Sequence, residues 1–141
     1  MHSFIVFAEN AETGPGLVGG ERTLSVSRLG IKTLPIDADP GETMAFRGVL
    51  LLHCTDLHGE DEGVHKVEAW LTLDGDDEEI DRGGCPFEIR RGAQGFIQIL
   101  RVAEEKIVVS PGDYLFHVAV DGRECAPWRL TLLPPDQAEQ P

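Results

Sequence analysis

The chain has 141 residues, 41% of them hydrophobic, which suits one domain able to bury roughly two thirds of its unfolded surface. Twenty-five acidic residues against twelve basic ones give a net charge of −13, which repels phosphate backbones and anionic headgroups and argues against nucleic acid or a membrane surface as partner. Three cysteines, Cys54, Cys85 and Cys125, are an odd number without ligand spacing, so they read as small core residues in a reducing compartment.

The first predicted element is a short strand over residues 3–8. Phe4-Ile5-Val6-Phe7-Ala8 is almost wholly apolar, as in a strand covered on both faces. The run is too short for a signal sequence, has no basic flank and meets Glu9 at once; no run approaches a membrane span, and a cytoplasmic protein is expected. Residues 9–16 read as a loop from their glycine and proline, and Leu17-Val18 as a brief extended piece before the Gly19-Gly20 turn. Gly14-Pro15-Gly16-Leu17-Val18-Gly19 matches the dinucleotide fingerprint letter for letter. That motif works by bringing a pyrophosphate to a helix N-terminus, whereas the residues that follow here read as strand.

Residues 23–29 alternate, Leu24 and Val26 against Ser25 and Ser27, and form the next strand. A connection over residues 30–42 precedes the longest apolar stretch, residues 44–54. Apolar residues of both parities there (Phe46, Leu50 and Leu52 against Val49 and Leu51) predict a strand buried on both sides or one that bulges near Gly48. A polar loop, residues 55–63, leads to a half-buried strand in which Val67, Ala69, Leu71 and Leu73 alternate with Lys66, Glu68, Trp70 and Thr72. Trp70 falls on the polar face, where one large aromatic covers a sheet edge or marks a contact surface.

Residues 74–84 read as an acidic loop, followed by a strand carrying Cys85, Phe87 and Ile89, with Pro86 indicating an edge or a strand start. After a turn at residues 90–95 comes another strand over residues 96–102, then a helical turn at residues 103–106. The last element is a hairpin: Pro111-Gly112 turns the chain in, Tyr114, Phe116, Val118 and Val120 alternate with Leu115, His117 and Ala119, and Asp121-Gly122 turns it back towards Trp128, Leu130 and Leu132. A two-residue loop would leave the returning apolar residues on the wrong face. A three-residue loop, Val120-Asp121-Gly122 with Gly122 in a G1 bulge, keeps even positions opposite even positions and is the expectation. Tyr114 after Pro-Gly resembles a tyrosine corner, in which the phenol hydrogen-bonds back to the backbone.

Together these elements predict an all-β fold, an antiparallel β-sandwich of immunoglobulin-like or C2-like type with about seven to nine strands. It would fill residues 1–134 as one domain, with a polar tail over residues 135–141. The opening residues 4–8, the Leu17-Val18-Gly19-Gly20 element, the strand over residues 66–73 and the closing segment 111–122 also resemble a family of small uncharacterised bacterial proteins of about this length. That resemblance implies a sandwich and no activity.

Site candidates are few. His53, Cys54, His58, His65 and four acids crowd residues 53–65, but no pair has zinc-ligand spacing, and a solvated loop is the simpler reading. Asp74, Asp76 and Asp77 open the densest acidic run, and calcium takes oxygen ligands from such loops. Antiparallel strands would gather residues 30–42, 74–84 and 103–113 at one pole, adding Asp37, Asp39, Glu104 and Glu105, and leave Arg22, Arg90, Arg91 and Arg123 at the other. A solvated turn remains the plainer account of a like-charge run. No catalytic motif is present, and Cys54 beside His53 or Cys125 beside Glu124 would face apart on a strand. The expectation is therefore a non-enzymatic protein-interaction or assembly module without a cofactor, using the face that carries Trp70. A calcium-dependent module using Asp74, Asp76, Asp77, Asp37 and Asp39 is the alternative.

Overall fold

The computed structural model describes residues 1–15, 22–36, 38–39, 41–42 and 44–134. Ten strands form two packed sheets: β1 (His2–Pro15), β2 (Arg22–Leu29), β3 (Thr33–Pro35), β4 (Met44–Thr55), β5 (Gly63–Leu73), β6 (Glu79–Ile89), β7 (Phe96–Val109), β8 (Gly112–Val120), β9 (Arg123–Glu124) and β10 (Trp128–Leu133). One sheet runs β2-β1-β4-β7; the other runs β3-β10-β8-β5-β6, with β9 added to β8. Among the described residues all pairs are antiparallel except β3 with β10. The chain enters the first sheet with β1 and β2, crosses to the second at β3, returns at β4, crosses again at β5, returns at β7 and ends in the second sheet. No helix among the described residues is long and apolar enough to cross a membrane.

Alternation builds the core. Ile5, Phe7, Leu50 and Leu52 project from the first sheet against Val67, Leu71, Phe116, Val118 and Leu130 of the second, and the Phe7 and Phe116 rings lie 5.2 Å apart. The opposite parity of β4, Val49 and Leu51, joins Ala8 and Ala11 in a smaller cluster on the far side of its sheet. Both proposals for residues 44–54 therefore hold, because β4 also shifts register between Phe46 and Gly48. Opposite this shift β7 pairs Val102 with Gly48 and Ile107 with Phe46, so residues 103–106 loop out of a continuing strand instead of forming a helical turn.

Two further loops of the sequence reading are strand. β1 continues to Pro15 because Asn10, Glu12 and Gly14 pair with Ser27, Ser25 and Thr23 of β2, a ribbon whose polar residues can face water. The Gly14-Pro15 start of the fingerprint thus lies in extended backbone, and the rest of it, with Leu17-Val18 and Gly19-Gly20, lies outside the described residues. Residues 79–84 of the predicted loop open β6, which pairs with β5 from Gly63 to Thr72 with one register shift between Leu71 and Thr72. β6 is an edge strand, the position that tolerates Pro86.

The closing hairpin corrects the predicted loop. Ala119 pairs with Glu124 and Val120 with Arg123, leaving a two-residue turn, Asp121-Gly122, with both φ values positive (50° and 82°) as a type I′ turn requires. Farther along, Phe116 pairs with Trp128 and Tyr114 with Leu130. The extra residue sits at residues 125–127, where Pro127 has no N–H to give a ladder. The bulge follows the turn instead of forming part of it, and even positions still face even positions. Tyr114, Phe116, Val118 and Leu130 are buried, with Trp128 packed against them. The Trp128 indole N–H donates to the Ile31 carbonyl at 3.0 Å and ties the connection before β3 to this hairpin. The Tyr114 hydroxyl donates to the Ser110 carbonyl at 2.6 Å and accepts from the Ser110 N–H at 3.2 Å, which is the geometry of a tyrosine corner.

Candidate functional site

Register places three side chains in one row across the outer face of the second sheet. Trp70 on β5 lies directly opposite Arg82 on β6 and His117 on β8. The His117 ring stacks on the indole with centroids 5.2 Å apart and planes 6° from parallel. On its other side the Arg82 guanidinium stands 4.6 Å from an indole centroid, within cation–π range. Each flank is fixed in turn. Arg82 donates from Nε to Glu79 Oε2 at 2.8 Å, makes a second bond to the other Glu79 oxygen, and reaches Glu68 Oε2 at 3.0 Å. His117 Nε2 lies 2.9 Å from the Thr72 hydroxyl. The Arg82 pair pulls Glu79 below its ordinary pKa, and the same contact raises Arg82. Lys66, then Arg82, lowers Glu68. The result is a half-buried indole held rigidly on a polar surface.

Beside this row the outer face sinks. Gly83 and Gly84 bring no side chains to β6, and a shallow trough of about 740 Å³ runs past Arg82, Glu68, Lys66, Pro86 and Val64. Val64 at its far end is 73% exposed. Gly84 is fixed there by close approach, since a Cβ at that position would stand 2.8 Å from the Val67 carbonyl oxygen.

The crowded histidine loop is built differently. His65 is clamped by the Asp121 carboxylate at Nδ1 and the Asp61 carbonyl at Nε2, both at 2.6 Å. The Asp121 bond, then the Asp61 carbonyl, raises the His65 pKa, and the Lys66 N–H and His65 lower that of Asp121. With both ring nitrogens engaged, His65 is a fastener of the β8–β9 turn. The His58 ring lies 3.5 Å from Asp56, and its backbone N–H donates to the Asp61 carboxylate at 2.8 Å. His53 and Cys54 do face apart: His53 stacks on Phe4 at 4.7 Å, while Cys54 is buried in the core. Burial pushes the Cys54 and Cys125 thiols up, away from the reactive thiolate.

At the acidic pole, pairing places the connections after β3, β5 and β7 at one end of the sandwich. Asp74 pairs with Arg129 at 3.0 Å, and Asp76 accepts the Glu78 N–H at 3.0 Å within its own turn. Arg129 also holds Asp113 at 3.1 Å, so a basic residue stands among the acids. Asp77 and Asp39 are exposed; Asp37 lies outside the described residues. Among the described residues no three histidine, cysteine, aspartate or glutamate side chains converge to hold a metal ion. Arg90, Arg91 and Arg123 do occupy the opposite end, but Arg22 pairs with Pro15 at the acidic one.

Trp70 is thus legible in the sequence as a surface feature, whereas nothing in the alternation alone marks Arg82 or His117. A signal for Arg82 existed: it and Trp70 are equidistant from Asp76 in the turn that joins their strands. Comparison with protein-family models, curated proteins and solved structures gives no match.

Proposed function

We infer that this chain is a non-enzymatic binding module that engages a protein partner through the outer face of β5 and β6. One observation carries the reading: Trp70 is pre-positioned between Arg82 and His117 on a sheet face, beside a trough that runs past Arg82 to exposed Val64. Interfaces draw most of their energy from a few tryptophan, tyrosine and arginine side chains whose rotamers are already fixed, because little entropy is then lost on contact.

Self-association is the form of this reading that can be tested directly. Sedimentation over a wide concentration range should show a reversible associated fraction, and Trp70→Ala should lower it at fixed concentration while near-ultraviolet circular dichroism still reports a packed fold. A wild-type chain that sediments as a monomer throughout removes self-association. An associated fraction untouched by Trp70→Ala removes the surface.

A further inference from the structure

The other side of the same strand pair is hollow. A cavity of about 440 Å³ opens between the sheets on the flank where β6 lies against β7, walled by Leu50 and Leu100 from one sheet and Val67, Leu71 and Phe116 from the other. Its origin is a pair of small residues on the inner face. Ala69 pairs with Gly83, between the rows of Val67 and Leu71, and a Cβ placed at Gly83 would meet nothing within 4 Å. The volume falls within the range of small-molecule sites, and the lining sets apolar side chains from both sheets beside polar groups at the mouth.

Those polar groups differ in where they point. Asp81 pairs with Leu71 and shares its inward face, at the mouth. Arg101 also borders the mouth, but it pairs with Val49 on the outer side of its own sheet, and its guanidinium donates to the Ala11 carbonyl at 3.2 Å. The nearest cation on β6, Arg82, is held on the opposite face by Glu79 and Glu68. Among the described residues nothing pairs with the Asp81 carboxylate. Alternation therefore leaves the exposed Asp81 carboxylate on the cavity side of the mouth and turns Arg101 to the outer side of its own sheet, in a chain whose net charge of −13 concentrates cations around it.

We propose that this cleft binds a small organic cation with an apolar body, the body filling the space beside Ala69 and Gly83 and the charged head meeting Asp81. Chemical-shift titration of the ¹⁵N-labelled full chain with octyltrimethylammonium, octanol and octanoate separates body from head. The ammonium should give saturable shifts at Ala69, Gly83 and Leu100, with octanol weaker and octanoate weakest, about tenfold below the ammonium, as attraction turns to repulsion at one carboxylate. Asp81→Asn should bring the three affinities together. Gly83→Leu, whose backbone is unstrained and whose side chain enters open space, should fold and weaken all three probes by about tenfold or more through loss of the cavity. The proposal is overturned by an ammonium that gives no saturable shift, by equal affinity for the two charged probes in the wild type, by a preference that survives Asp81→Asn, or by unchanged binding in a folded Gly83→Leu.

Discussion

The wall formed by β5 and β6 and the turn that joins them, residues 74–78, make an instructive pair. The turn carries the densest charge in the chain, yet its carboxylates mostly face water; Asp74 meets an exposed arginine, and Asp76 closes its own turn. In the wall below, charge is sparser but is spent on geometry: Glu79 and Glu68 orient Arg82, which packs on Trp70. Charge density along a sequence therefore says little about where charge organises structure. What matters is whether the fold brings a partner within reach, and even then an exposed ion pair contributes only about 0–1 kcal/mol.

Substitutions can break or sharpen this contrast. The largest effect belongs to Gly84→Ala in the wall, because the added Cβ would press on the Val67 carbonyl; a loss of about 1–3 kcal/mol is expected in urea unfolding. A Gly84→Ala variant of wild-type stability would show that the two strands do not approach as described. Next comes Trp70→Ala, which removes a ring stack and a cation–π contact and should cost about 1–2 kcal/mol while the chain stays folded. Neighbouring Gly83→Ala should instead gain about 0.5–1 kcal/mol, since the site has space and a glycine in a strand is entropically costly. Opposite signs at adjacent glycines would be hard to explain by anything but the two faces of β6.

At the lower end of the wall, His65 predicts a pH dependence. Its pKa is raised in the folded chain by Asp121 and the Asp61 carbonyl, so the stabilisation is fully present below the unfolded value of about 6.5 and is lost as pH rises through the folded value. Unfolding free energy should fall between those two pH values, and His65→Gln should flatten that slope. A slope unchanged in the variant would assign it to other groups. The smallest effect is reserved for the turn: calcium and sodium chloride of matched ionic strength should give nearly the same melting temperature, as screening alone requires. A calcium-specific rise abolished by changing Asp76 and Asp77 to Asn would restore the cation site and reverse the contrast between turn and wall.

Much of the fold was readable because the strands of the second sheet bury one face each. Period-two alternation marked β5 and β8, Pro86 marked an edge, and Pro111-Gly112 before Tyr114 marked the corner. Reading failed where a strand lacks a buried face or where an irregularity decides the register. The far half of β1 is polar because it forms a ribbon with β2, and the start of β6 looks like a loop because an edge strand accepts acids and glycines. The hairpin turn departs from expectation because parity alone does not distinguish an extra residue in the turn from one three residues past it. The same holds for the candidate site. Trp70 is visible as an exception to a pattern, whereas Arg82 and His117 acquire meaning only once pairing sets them beside it.

The path of the chain between the sheets has a kinetic consequence. Because β3 and β4 lie in different sheets, as do β4 and β5, β6 and β7, and β7 and β8, no contiguous stretch contains either layer whole without strands of the other. The β1–β2 and β5–β6 ribbons can close locally, but β4 must find β1, and β8 must find β5, across more than forty residues. Loop-closure entropy must be met before those pairings return any energy, which places refolding in the millisecond-to-second range typical of non-local β proteins. Neither sheet can be excised as a contiguous fragment that retains its strands, so the two layers should appear together, in one cooperative step.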